Sequence, residues 1–325
     1  MTISCPQFSG MFEKYISKMN VMDEDSMDSI SYIFPDNVTP FVNQVAGHEF
    51  TKAKPTIGMM KHSDGYVLKP VPHPVYGPRE INFYKTLETT CDPLLKDLKQ
   101  YIPQYLGTTT IELDNKDVRC ICMEDITKDF KLPCVMDVKI GVQTWEPDAS
   151  LEKIKVERVK YAACKKRWGF SIPGFQYYNV SDGSFVRRGK DFGKRMSAQE
   201  AIQALYSYIN AEVGIKYGLV ASILDQLKKI HSWFRRQRHF LFFSSSILLA
   251  YDAENLKIFL DEGVTWGDGE SVVNTEHDPK ISVCMIDFAH VLPNLQHEAD
   301  VNYLTSLENL IHVFEDLSSL YALHS

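Results

Sequence analysis

Residues 133 to 145, PCVMDVKIGVQTW, limit what this chain can fold into more than any other stretch. Cys134, Met136, Val138, Ile140 and Val142 alternate with Val135, Asp137, Lys139 and Gly141, which is the two-residue period of a β-strand. Asp137 and Lys139 therefore share one face, roughly 6 to 7 Å apart by strand rise. So apolar a strand belongs in a core, yet it sets a carboxylate and an ammonium side by side and follows them with glycine. In isolation, D-x-K is a partly exposed ion pair that contributes little.

The remainder of the chain supplies a setting for that pair. At 325 residues, 44% of them hydrophobic, it can bury a substantial core divided between two lobes or domains. MTISCPQFSG has neither a basic start nor an apolar run, so no secretory signal is expected. HFLFFSSSILLAY is too short and too rich in serine to cross a bilayer, and no membrane insertion is expected. Seven cysteines without a C-x-x-C pair, mostly in apolar strand-like runs, fit reduced thiols in the cytoplasm or nucleus. A net charge of −7 argues against a nucleic-acid partner. Charge is nevertheless concentrated: Leu151 to Arg195 holds twelve Lys/Arg against four Asp/Glu. Such a region captures phosphates, or is merely a solvated basic face on which a residue such as Lys165 is a screened surface charge.

Residues 1 to 40, with VMDEDSMDS, read as a mobile acidic tail. IGMMKHSDGYVLKP reads as a hairpin turning at Ser63-Asp64-Gly65 and ending near Lys69. PREINFYKTLE predicts a helix with Pro78 at its first position and Glu80 in its first turn. Asp92 caps a short helix, and strands follow at about 104 to 113 and 117 to 124. Ser150 or Asp148 caps one helix running through LEKIKVERVKYAACKKR, in which Lys153 and Lys160 lie two turns apart on one face. Ser197 and Glu200 form a capping box, and an amphipathic helix covers about 218 to 237. FLFFSSSILLAY and ISVCMIDFAHV are expected as strands flanking an acidic loop at about 261 to 280, before a terminal helix with Leu304, Leu307, Leu310 and Phe314 inward.

Lys69 ending a strand, Glu80 in the next helix, the link Met123 to Ile126 and Asp287 ending a late strand occur in the order that nucleotide-dependent phosphoryl transfer requires. No G-x-G-x-x-G, H-R-D or Walker motif is present, which argues against a conventional protein kinase. Asp191-Phe192-Gly193 spells a kinase tripeptide but lies far too early in the chain, inside the basic segment.

PCVMDVKIG, with Pro133, Asp137, Lys139 and Gly141 at the fixed positions of P-x-x-x-D-x-K-x-G, closely resembles the signature of the inositol polyphosphate kinase family. VAGHEF, DGYVLKP, GPREINFY, CMEDIT, FFSSSILLAYD and MIDFAHV extend the resemblance from about Asn43 to the terminal helix. GPREINFY, MEDITKDF and the compact basic segment look most like the multikinase branch. The resemblance implies an α+β, two-lobed fold related to protein kinases and ATP-grasp enzymes, with a helical inositol-binding insertion. The nucleotide-binding N-lobe would span 41 to 127 and the C-lobe 128 to 325, with the basic segment at about 148 to 212.

It further implies an ATP- and Mg2+-dependent transfer to soluble inositol phosphates, from a trisphosphate to tetrakis- and pentakisphosphates, by a monomer. A single-specificity trisphosphate 3-kinase and a non-catalytic phosphate-binding scaffold are the alternatives. In this reading Lys69 holds ATP phosphates, Glu80 supports it, the backbones of Glu124 and Ile126 grip adenine, and Asp287 binds the metal. Asp137 and Lys139 are catalytic; Asp137 faces the attacked hydroxyl or the ribose, and Lys139 also binds substrate. Lys153, Lys160, Lys194, Arg195 and His290 complete the substrate contacts. Between the two helical lysines stand Val156 and Glu157, where the resemblance implies amide side chains.

Overall fold

The computed structural model describes residues 32–48, 50, 56–213, 217–261 and 280–322. The predicted tail up to residue 31 and nearly all of the acidic loop lie outside these. The first lobe is an antiparallel sheet in the order β1-β2-β3-β5-β4, made of β1 (Val38–Pro40), β2 (Met60–His62), β3 (Val67–Pro70), β4 (Tyr105–Leu113) and β5 (Lys116–Met123). Asp114 and Asn115, both at positive φ, close the β4–β5 hairpin, a conformation that short polar residues tolerate. One face buries Val38, Met60, Leu68, Leu113, Val118, Cys120 and Cys122 beneath Tyr32, Phe34 and Phe50. Residues 32 to 40 are thus part of this lobe and not tail: two aromatic side chains and a strand anchor them.

Lys69 points to the opposite face, toward α1 (Tyr76–Thr89), which is followed by α2 (Pro93–Leu98). Helix α1 begins two residues earlier than predicted because the His73 ring accepts from the amides of Val75 and Tyr76, each at 3.2 Å. Glu80 consequently sits beyond the first turn, where it is buried.

The second lobe is built on an antiparallel sheet in the order β11-β10-β6-β7-β8. Its strands are β6 (Pro133–Ile140), β7 (Phe170–Asn179), β8 (Ser184–Arg188), β10 (Ser246–Asp252) and β11 (Ile281–Ile286), while β9 (Phe240–Phe242) pairs with β12 (Val291–Pro293). The signature strand β6 is therefore central, which accounts for its hydrophobicity. The two late apolar runs each divide in two, at Ser244 and Asp287, both at positive φ. The Ser245 hydroxyl donates to the Asp287 carbonyl at 2.8 Å and braces the second break.

The basic helix also divides. It forms α3 (Leu151–Val159) and α4 (Ala162–Trp168), separated by Lys160 in an extended conformation and Tyr161 at φ 56. Helix α3 buries no residue whereas α4 buries Cys164 and Lys165, and one straight helix could not do both. After α5 (Lys190–Arg195) and the capping-box helix α6 (Ala198–Tyr208) come α7 (Tyr217–Arg236), α8 (Glu254–Asp261) and α9 (Val301–Ala322). Helices α7 and α9 pack around Trp233, Phe234 and Tyr303, with Phe234 and Tyr303 stacked at 4.0 Å. Leu307, Leu310 and Phe314 are buried as predicted, but Tyr303 takes the place expected of the half-buried Leu304.

Contacts between the lobes position the site. Phe83 of α1 stacks on Phe288 at 4.4 Å, and the Phe288 amide donates to Glu80 at 3.1 Å. Trp233 donates to the carbonyl of Leu94 at 2.7 Å. The segment after β1 lies over the second sheet: Arg187 donates to the carbonyls of Val42 and Gln44, and Gln176 to Asn43. Gly174 permits this approach, because a Cβ there would lie 1.8 Å from the Val45 carbonyl oxygen. Gly174→Ala is expected to push this segment away and destabilise the fold by about 1 to 3 kcal/mol, read as a lower denaturation midpoint.

Candidate active site

The face of β6 that carries Asp137 and Lys139 opens on the cleft between the lobes. Asp137 is 4% exposed, and its Oδ1 has no hydrogen-bond partner. Burial, followed by the nearby negative charge of Asp287, pushes its carboxyl up to about 6, with Lys139 opposing. Ser246 and Ser171 are the cross-strand partners of Lys139, so both hydroxyls share its face. Ser246 lies beside the Asp137 carboxylate and steadies its ionised form, while the Ser171 hydroxyl is buried without a partner among the described residues. Buried polar atoms are nearly always satisfied, so two orphans on one strip of sheet, Asp137 Oδ1 and Ser171 Oγ, mark a place prepared for groups the chain does not supply.

Across the cleft, Lys69 Nζ lies 2.7 Å from Glu80 Oε1 and 2.5 Å from Asp287 Oδ1. Burial would lower the lysine pKa, but Asp287 and Glu80 prevail and hold it well above the usual range. Desolvation likewise acts against ionised Asp287, and Lys69 and Lys139 keep its carboxyl below the ordinary value. The hinge is shaped by Asp125, whose carboxylate takes Lys61 Nζ at 2.8 Å and the Thr127 amide at 2.9 Å. Glu124 N donates to the Gln104 carbonyl at 2.9 Å, while among the described residues Ile126 N has no backbone partner. A cavity of about 480 Å³ beside the hinge is lined by Gly65, Tyr66, Glu124 and Ile126, but it includes none of Lys69, Asp137 or Asp287.

The proposed substrate wall centres on a residue that sequence reasoning missed. Glu146 accepts from Arg79 through Oε1, from Lys153 at 3.1 Å through Oε2, and lies 3.0 Å from His290 Nδ1. Burial acts to raise its pKa, yet His290, Lys153 and Arg79 together hold it at about 2. Tyr76 closes the group, its hydroxyl 3.0 Å from Lys153 Nζ and its ring 4.4 Å from that of His290. Burial keeps the His290 pKa below its usual value despite Glu146. Arg79 stood beside Glu80 in GPRE, and Glu146 stood in TWEPDAS between the signature and the basic helix; proximity to those motifs was the available signal.

Lys160 does not share a helical face with Lys153, because the helix has ended; its Nζ pairs with Glu157 at 2.5 Å. Lys194 pairs with Asp191 at 2.8 Å on the surface, and Arg195 is exposed; neither hydrogen-bonds to Glu146, Glu157 or Asp137. Asp191-Phe192-Gly193 lies in the short helix α5. Gly141 adopts φ +108, and a Cβ there would meet Asn302 at 2.7 Å, so the space it leaves is filled by α9. Lys165 is not a solvated charge: it is 3% exposed, donates to the Glu157 carbonyl at 2.5 Å, and burial lowers its pKa. Lys165→Ala is expected to cost about 1.5 to 3 kcal/mol of stability, seen in denaturant titration and insensitive to salt.

A family model described as inositol polyphosphate kinase matches residues 120–315. The chain is 32% identical over 224 residues to inositol polyphosphate multikinase from Homo sapiens, an alignment covering 68% of this chain and 53% of that protein. It thus spans about half the length of that relative. A solved inositol phosphate multikinase matches with a TM-score of 0.57 and 26% identity, covering 73% of this chain and 99% of that one. An inositol phosphate multikinase from S. cerevisiae, solved in complex with ADP and Mn2+, matches with a TM-score of 0.59 and 22% identity, covering 78% and 98%. These neighbours bear out the α+β, two-lobed fold.

Proposed function

Since the chain belongs to the inositol polyphosphate kinase family, we propose that it transfers the γ-phosphate of ATP to hydroxyls of soluble inositol phosphates, adding phosphates in succession to a trisphosphate. One observation carries this reading. A buried carboxylate with a free oxygen, Asp137, stands beside Lys139 on the sheet whose strand β11 leads into Asp287, and Lys69, held by Glu80, reaches Asp287 from the other lobe. Asp137, with a pKa of about 6, is ionised at neutral pH and able to accept the proton of an attacking hydroxyl. Lys139 sits where it can neutralise a phosphate next to that hydroxyl. Lys69, fixed by Glu80, is a cation for the nucleotide phosphates, and Arg79, Lys153 and His290 form a second group for substrate phosphates.

The donor set fits a divalent ion. Among the described residues no three metal-binding side chains converge. A nucleotide-bound Mg2+ needs only one or two carboxylates, because phosphates and water supply its other ligands. Asp287, with the free oxygen of Asp137 nearby, would hold it; when bound, the ion neutralises charge on the transferring phosphoryl group. The yeast relative solved with ADP and Mn2+ supports a divalent ion beside the nucleotide.

Successive addition is tested by exhaustive conversion of inositol 1,4,5-trisphosphate with ATP and Mg2+, with products separated by charge. Accumulation of a pentakisphosphate is expected. Arrest at a tetrakisphosphate with enzyme in excess would instead assign a single-specificity 3-kinase.

A further inference from the structure

Glu157 places a second carboxylate, after Glu146, among the basic groups of the wall, and it follows Lys153 by one turn on the same face of α3. Its carboxylate is fixed from both sides, with Oε1 2.5 Å from Lys160 Nζ and Oε2 2.9 Å from the hydroxyl of Thr144. Thr144 is itself buried, and its carbonyl accepts from Ser244 at 3.0 Å. The Glu157 backbone is held as well, through Lys165. This is therefore no swinging surface side chain that a ligand could brush aside. Burial acts to raise its pKa, but Lys160, Thr144 and Lys139 keep it ionised. Along α3 and its end the wall therefore presents positive, negative and positive charge in turn at Lys153, Glu157 and Lys160, with Lys153 held in the cleft by Glu146 and Tyr76.

A carboxylate has about four lone-pair sites, and two contacts leave others open to hydroxyl donors. It can donate nothing to a phosphate and repels one. A polyol phosphate ring carries both kinds of group, so an alternating wall complements one arrangement of them and opposes others. Resting on the kinase reading above, we infer that Glu157 is a specificity-determining residue: it receives a free hydroxyl of the inositol ring and excludes substrates phosphorylated at that position. Lys160, partly neutralised by the same carboxylate, binds the phosphate on the neighbouring carbon.

The test compares kcat/KM across positional isomers of inositol tris- and tetrakisphosphate for wild type, Glu157→Gln and Thr144→Val. Glutamine keeps the shape and removes the charge; Thr144→Val keeps the charge and removes its tether. Glu157→Gln is expected to raise at least one poorly used isomer relative to the best by roughly 10-fold or more, the discrimination that one misplaced polar contact can impose. Thr144→Val is expected to preserve the wild-type ranking. The inference is overturned if Glu157→Gln changes every isomer by the same factor, which is what a purely structural brace would do. It is also overturned if Thr144→Val reorders the isomers as strongly. If wild type turns over none of the isomers, the kinase reading itself fails and this inference falls with it.

Discussion

Asp287→Asn is expected to lower kcat by roughly 10²- to 10³-fold while leaving the fold intact. The backbone at this position has φ 64, which asparagine adopts as readily as aspartate, and the Ser245 brace acts on the backbone carbonyl. What disappears is the carboxylate that lies 2.5 Å from Lys69 and that would hold the nucleotide's metal ion. Lys69 would keep its contact with Glu80, so the N-lobe arrangement survives. Steady-state kinetics alongside a thermal melt separates the two effects. Turnover within about threefold of wild type would remove Asp287 from the mechanism, since essential groups of this kind contribute at least ~100-fold.

Asp137→Asn is expected to be nearly as damaging to turnover and, unusually, to stabilise the protein. Its carboxyl is raised from 3.8 to about 6, mainly by burial. The folded state therefore binds this proton more tightly than the unfolded state does. By linkage, the stability it contributes is fully present below the unfolded pKa and is lost as pH rises through the folded value. Above pH 6 wild type carries the whole penalty of a buried charge, and asparagine removes it, a gain of about 1 to 3 kcal/mol at neutral pH. Denaturant titration at pH 4 and pH 8 checks this: the two proteins should converge at the lower pH and separate at the higher. In the same account wild-type kcat/KM falls as pH drops below about 6, because the base becomes protonated. A variant that loses stability at pH 8 would mean that Asp137 makes contacts the folded chain needs.

The parts of the site that could be read from sequence were those encoded locally. β6 announced itself because alternation over eight residues is a property of one segment, Lys69 and Asp287 lie at the ends of strands with a clear apolar pattern, and Glu80 lies in a helix with one. Glu146 could not be found that way, because the groups it gathers come from positions 79, 153 and 290, on elements that only the folded chain brings together. The break at Tyr161 was hidden for a related reason. No glycine or proline marks it, and it arises because α3 lies on the surface while Cys164 must reach the core. Lys165 looked like one more charge in a basic run until burial of its neighbours carried it inward. The expected end of the tail at residue 40 lies too late, because Tyr32 and Phe34 pack on a sheet whose other members begin many residues later.

Whether this cleft moves a phosphoryl group from ATP to a ring hydroxyl is tested by incubating the purified chain with γ-labelled ATP, Mg2+ and inositol 1,4,5-trisphosphate, with Asp287→Asn in parallel. Label is expected in a tetrakisphosphate, then in a pentakisphosphate, with the variant nearly silent. Nucleotide left intact, or hydrolysed to labelled inorganic phosphate with none on the inositol ring, would contradict that transfer.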